Sequence, residues 1–218
     1  MLPARETLRA AYDAVVKEIE SSRGTQQLTN LFYAQVGEAI FDACYKALET
    51  SEAAKTGIKT PKALQVVSAP MGTGKTTFAI AFTTSLVRLR KQQPDAPFGC
   101  VFVVEQMTKA EEMFRELEVL LPHKVAVWSS DHDVNNKNPT KVLKPAKQFH
   151  IDELARHEVV IVTHALYKTR GKNWQKAYHR LNHNGERVPR GLTIIDEQLD
   201  DVSVFDVTLL DATTVLDA

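Results

Sequence analysis

The segment Ala69-Pro70-Met71-Gly72-Thr73-Gly74-Lys75-Thr76 sets two glycines, a lysine and a threonine between a short apolar run and a longer one. The run before it, Ala63-Leu64-Gln65-Val66-Val67, predicts a buried strand bounded by loop residues. In the run after it, Phe78, Phe82, Leu86 and Leu89 recur at helical spacing and predict a helix. Strand, glycine-rich turn and helix form the context in which this pattern becomes a phosphate-binding loop.

The chemistry follows from the residue types. Gly72 and Gly74 let successive backbone N–H groups converge on one anion, and the helix starting near Lys75 adds its unpaired N–H groups and positive dipole end. The segment from Ala69, Pro70, Met71, Gly72, Thr73 and Gly74 to Lys75, Thr76 and Thr77 is therefore the candidate nucleotide cradle. Lys75 would reach the β- and γ-phosphates, and the Thr76 hydroxyl would ligate Mg²⁺. The first glycine of the general pattern is Ala69 here.

A chain of 218 residues has room for one large domain or a domain with an appendage. The expected division is an N-terminal helical segment over 1–50 and an ATP-binding α/β domain over 51–218. Its 27 basic and 27 acidic residues cancel, but unevenly along the chain. Residues 168–190 hold seven Lys/Arg against one acid, Glu186, and no Lys or Arg follows Arg190. Cys44 and Cys100 lie in apolar stretches and read as buried thiols. No long apolar segment suggests a membrane span, and the charged N-terminus does not resemble a signal peptide, so a cytoplasmic protein is expected.

Residues 7–20 and 28–48 predict amphipathic helices, the second with Leu31, Phe32, Val36, Ile40, Cys44 and Leu48 on its apolar face. Gln26, Gln27 and Gln35 carry amides whose paired donor and acceptor suit an adenine edge, with an ordinary helix-surface role as the alternative. Continuous apolar runs at 100–104, 125–128, 159–162 and 192–195 predict strands of the kind buried in a parallel sheet. A helix is expected to end at Pro122, a short one over 151–157, and a longer one over 165–183 followed by a turn at 187–190. Residues 129–147 read as a long polar loop. Asn136-Lys137-Asn138 is followed by Pro139 rather than an aspartate, which counts against a guanine-binding signature. The alternation is that of a doubly wound α/β fold.

The run Ile194-Ile195-Asp196-Glu197 delivers two adjacent carboxylates from a strand. Asp196 would hold the Mg²⁺ shell and Glu197 would activate the attacking water; solvated strand-end acids are the alternative. Between Tyr167 and Arg180 cations alternate with aromatics, a pattern that holds single-stranded nucleic acid. Lys168, Arg170, Lys172 and Trp174 are the candidates there, against a basic helix with Trp174 and Tyr178 packed inward. His179 and His183 are four residues apart, with no third nearby ligand to support zinc.

With both motifs placed, the chain resembles the first RecA-like lobe of superfamily 2 helicases and related translocases. Their motif I, Ala-x-x-Gly-x-Gly-Lys-Thr, agrees with Ala69 to Thr76 at every fixed position. Their motif II begins with an Asp-Glu pair after an apolar strand, as at Asp196-Glu197, although Gln198-Leu199 departs from the usual ending. Residues 103–109 lie where motif Ia belongs, and Thr163-His164 looks like the family's strand-end pair beside the nucleic-acid track. The resemblance spans about residues 25–200 and implies a RecA-like P-loop fold that uses ATP and Mg²⁺. It also implies contact with DNA, or alternatively RNA, through Thr108, Lys109, Thr163 and His164. A second RecA-like lobe or a partner chain would supply an arginine finger.

Overall fold

The computed structural model describes residues 2–24, 30–55, 65–90, 99–135, 145–169, 172–182 and 184–196. Four continuous apolar runs form the sheet: β1 (Cys100–Val104), β2 (Val125–Trp128), β3 (Val159–Thr163) and, last in the chain, β6 (Leu192–Ile195). They lie parallel in the order β2-β3-β1-β6. β1, β2 and β3 are buried on both faces, which is why they read as unbroken rather than alternating hydrophobic runs. The register pairs Val103 with Ile195 and Val104 with Thr163, so the carboxyl ends of β1, β3 and β6 finish at one level. An α/β domain with a parallel sheet flanked by helices results, an architecture of the general P-loop or Rossmann-like kind.

The N-terminal helices cover the helix that follows the glycine loop. α1 (Arg5–Arg23) and α2 (Leu31–Lys55) both pack against α3 (Lys75–Arg90). Tyr12 is the centre of this contact, with its ring 5.3 Å from Phe41 and 6.5 Å from both Phe78 and Phe82, and its hydroxyl donating to the Gly37 carbonyl at 2.9 Å. Each such buried aromatic contributes about 1.5–3 kcal/mol of transfer free energy. α1 stops at Gly24, whose φ of 64° closes the helix in the left-handed conformation. α3 is buried from Thr77 to Val87, and its Thr83 hydroxyl reaches the Cys100 thiol at 3.7 Å, which ties it to the sheet. Burial pushes both the Cys44 and the Cys100 thiols up to about 12, the inert state expected of core cysteines.

On α2 the buried face runs through Val36, Phe41, Cys44, Tyr45 and Leu48, whereas Leu31 and Phe32 are exposed. The expected apolar face was right from Val36 onward and wrong in the first turn. The strand expected over Ala63–Val67 starts outside the described residues. Gln65 to Pro70 run on without ladder pairing, and Val66 is 77% exposed. Among the described residues, β6 is consequently a sheet edge.

α4 (Met107–Leu120) follows β1 and packs on the sheet through Ala110, Met113, Phe114 and Leu117. Residues 130–132 form a single 3-10 turn, and residues 151–156 a short 3-10 helix. Within the span of the long helix expected over 165–183, the described residues form α5 (His164–Thr169) and α6 (Lys172–Tyr178), and helix ends at Tyr178. The chain then turns back as an antiparallel hairpin of β4 (His179–Leu181) and β5 (Arg187–Pro189), where the sequence had predicted only a turn at 187–190. The reversal is an Asn-Gly turn: the Asn182 side chain accepts the N–H groups of Asn184 and Glu186, and Gly185 has φ 78°.

Candidate functional site

The glycine loop takes the shape its residue types allow. Gly72 and Gly74 have φ of 75° and 80°, a region that a side chain would strain, and no heavy atom lies within 4 Å of where a Gly72 Cβ would project. The Thr73 hydroxyl donates to the Pro70 carbonyl at 2.8 Å and closes the turn from inside. Lys75 folds back over its own loop, its ammonium donating to the carbonyls of Ala69 at 2.5 Å and Pro70 at 2.8 Å. Met71 is almost wholly exposed on the outer rim. α3 begins at Lys75, and its first backbone bond runs from Phe78 N–H to the Gly74 carbonyl at 2.9 Å.

Across the sheet edge, the Asp196 N–H donates to the Val103 carbonyl at 2.9 Å and holds the residue one step beyond β6. Its carboxylate points at the glycine loop: the Thr76 hydroxyl donates to Asp196 Oδ2 at 2.9 Å, between residues 120 positions apart. The same oxygen pairs with the Lys109 ammonium at 3.2 Å. A hydroxyl and a carboxylate oxygen in contact are hard donors of the type that Mg²⁺ selects. With the open space over Gly72, this donor set is one that could take a metal-bound phosphate: Thr76 and Asp196 are the oxygens that could hold a cation, and Lys75 with the loop N–H groups those that could hold an anion.

The other residues singled out from the sequence are dispersed. The Thr77 hydroxyl accepts from Arg23 Nη1 at 3.0 Å, and Arg23 also pairs with Glu116 on α4, so the end of α1 is bound to the start of α3. Gln35 is exposed on α2, two residues before the Gly37 carbonyl that receives Tyr12. Glu197 and Arg170 lie outside the described residues, as do Gln26, Gln27 and His183. Lys172 opens α6, and Lys168 is exposed on α5. Trp174 is buried, with its ring stacked on Tyr178 at 5.6 Å and edge-on to Tyr167 at 5.0 Å. It joins α5 to α6 and presents no open face.

Beyond the loop, a cavity of about 800 Å³ opens where β1, β2 and β3 end. Thr108 and Thr163 line it, and His164 is buried next to it. Two carboxylates, Glu105 and Asp133, also line it, together with Ser129 and Asn173, and among the described residues the lining includes no lysine or arginine. One wall is fixed by a buried relay that the sequence reading missed. Ser129 Oγ bonds His132 Nδ1 at 2.7 Å, and His132 Nε2 bonds Glu111 Oε2 at 3.1 Å. Glu111 Oε1 accepts from Arg115 Nε at 2.9 Å and from the Ala146 N–H at 3.0 Å. Burial lowers the His132 pKa from its ordinary value against the opposing pull of Glu111. No spacing rule connects residues 111, 129, 132 and 146, so the relay carried no sequence signal.

Of the seven cations that made residues 168–190 basic, two are interior: Arg180 and Arg190 are each 2% exposed. Both stems pass the start of β1. A Cβ on Gly99 would stand 2.9 Å from Arg180 Cδ and 3.1 Å from Arg190 Cγ, so glycine there makes the room they occupy.

The arrangement is that of a nucleotide-binding or catalytic α/β module in general terms. No protein-family model matches this chain, and no curated protein matches it.

Proposed function

We propose that the chain is the ATP-binding lobe of a nucleic-acid-dependent ATPase of the superfamily 2 helicase or translocase type. The observation that carries this reading is the Thr76 hydroxyl on Asp196 Oδ2 at 2.9 Å. It joins the two sequence motifs that the family pairs around one metal-bound nucleotide. In this reading Lys75 and the backbone from Ala69 to Thr77 hold the phosphates, and Thr76 with Asp196 holds Mg²⁺. Glu197 takes the proton of the attacking water. The metal ion supplies charge neutralisation on the β- and γ-oxygens. A second RecA-like lobe or a partner chain contributes the arginine finger, and DNA is the preferred strand, with RNA as the alternative. The isolated chain is then a weak hydrolase, since an arginine finger is worth about 10³–10⁵ in rate in other nucleotide hydrolases.

A second reading, a nucleotide-binding regulatory module without strand binding, draws support from the cavity. Among the described residues its lining holds Glu105 and Asp133 and no lysine or arginine, a poor complement to a phosphate backbone.

Steady-state ATP hydrolysis at low salt, with and without single-stranded DNA, combined with strand-binding titrations, separates the two. The helicase reading expects Mg·ATP binding, salt-sensitive strand binding and little turnover, with any turnover abolished in Glu197→Gln while ATP binding persists. ATP binding without any strand binding at low salt would favour the regulatory module.

A further inference from the structure

We propose that Lys109 and a divalent cation compete for the same Asp196 oxygen, so that a metal–nucleotide must displace Lys109 and with it reset the first turn of α4. The inference rests on the nucleotide reading of the loop and extends it to a residue outside both motifs.

Three features carry it. The Lys109 ammonium stands 3.2 Å from Asp196 Oδ2, the oxygen that also accepts the Thr76 hydroxyl at 2.9 Å. That hydroxyl and that carboxylate are the two hard oxygens a cation would use, and a dication beside Oδ2 would lie within a few ångströms of the ammonium, where like charges repel strongly. Secondly, the pair is sheltered: the Asp196 side chain is 9% exposed and that of Lys109 is 28% exposed. The attraction is therefore screened less than in a surface ion pair, and which cation holds the oxygen matters energetically.

Thirdly, Lys109 sits in the first turn of α4, which contains no acidic residue. A cation there opposes the helix dipole and is held in place by its carboxylate partner. Once a dication takes Oδ2 that attraction is lost, and the ammonium is repelled from the oxygen. Met107 and Thr108 of the same turn form part of the cavity wall, so the displacement is delivered at the cavity. Lys109 in this role is a positioning residue: it acts on the cation site through Asp196 and touches no reacting atom.

The test uses the full chain with ADP and Mn²⁺, the latter as a paramagnetic substitute for Mg²⁺. Binding of a fluorescent ADP without metal reports on the loop alone, and Mn²⁺ titration of the ADP-saturated protein by electron paramagnetic resonance reports on the cation site. Lys109→Met should bind Mn²⁺ about tenfold more tightly than the native chain, and Lys109→Arg should stay near native. Metal-free ADP affinity should be alike in all three. A second readout is the resonance of the ¹³C-dimethylated Lys109 amine, identified by its loss in Lys109→Arg, which should move on adding Mg·ADP and not ADP alone. Unchanged or weaker Mn²⁺ binding in Lys109→Met, with ADP still bound, would overturn the competition and leave the nucleotide reading intact. Absence of ADP binding in every form would overturn both.

Discussion

The glycine loop at 69–76 and the hairpin region at 172–190 both bring cations to the sheet, and they use them in opposite ways. Lys75 lies over its own loop, held by the carbonyls of Ala69 and Pro70, and can leave them for a phosphate without disturbing the core. Arg190 is interior and donates to five carbonyls: Ala177, His157, Glu158, Leu154 and His179, at 2.7–3.4 Å. Those oxygens close the 151–156 turn and the end of α6, where a cation also meets the negative ends of the backbone dipoles. A guanidinium suits this role because its fixed fork of donors can serve several acceptors at once. One cation is kept for a ligand and the other holds the fold.

The contrast breaks most sharply at Arg190. Arg190→Met keeps the length and apolar stem but leaves several buried carbonyls without a donor. It should cost about 3–5 kcal/mol, read as a lower urea midpoint at unchanged slope. A loss below about 1 kcal/mol would mean that water replaces the guanidinium and that the hairpin is not organised by it.

At the other pole, Lys75→Ala should leave the urea midpoint within about 0.5 kcal/mol of native, because the side chain bonds only its own exposed loop. ATP affinity should fall by about a hundredfold or more, close to 3 kcal/mol, by isothermal titration calorimetry. Retained binding would remove the loop from the nucleotide site, whatever its shape.

The same pair of regions explains what could be read from the residues alone. Unbroken apolar runs gave all four sheet strands, because a parallel strand buried on both faces has no polar face to confuse its pattern. The Gly72–Gly74 turn was legible because a backbone with positive φ at two nearby positions calls for glycine at both. The hairpin was not recognised, although Asn184-Gly185 is a hairpin signal, because helical spacing in Trp174 and Tyr178 was carried too far past Gly171. The basic count over 168–190 did not separate surface cations from interior ones: charge in a sequence does not reveal burial, and Arg180 and Arg190 satisfy carbonyls instead of facing solvent. The Glu111–His132–Ser129 relay joins α4 to the 129–132 turn through tertiary packing, and neither periodicity nor motif spacing encodes that.

Trp174 sharpens the comparison at intermediate cost. Its ring lies between Tyr178 and Tyr167, so Trp174→Phe should lower stability by about 1–2 kcal/mol in thermal or urea melts and leave strand affinity at its native value. If the ring instead stacked on a base, removing the indole would weaken single-strand binding by up to about 1–3 kcal/mol with little effect on the melt. Measuring both quantities on one variant decides whether the aromatics of this region belong to the core or to a ligand.

The smallest expected effect lies at the cavity wall and depends on pH. Burial lowers the pKa of His132, which faces Glu111 and Ser129 with Asp131 nearby, and burial likewise lowers that of His157. Each imidazole thus takes a proton more readily unfolded than folded, so protons favour the unfolded chain. Stability should be constant above about pH 6.5 and decline as pH falls through that value, by at most about 1.4 kcal/mol per pH unit for each histidine, until the folded-state values are passed. His132→Gln can still donate its amide to Glu111 and does not titrate. Its melting temperature should therefore change less than the native one between pH 7.5 and 5.5, with His157 supplying what slope remains. An equal slope in the two proteins would mean that Glu111 holds a protonated His132 in the folded chain as readily as water does in the unfolded one. The His132–Glu111 contact would then be an ion pair, closer in kind to Lys109–Asp196.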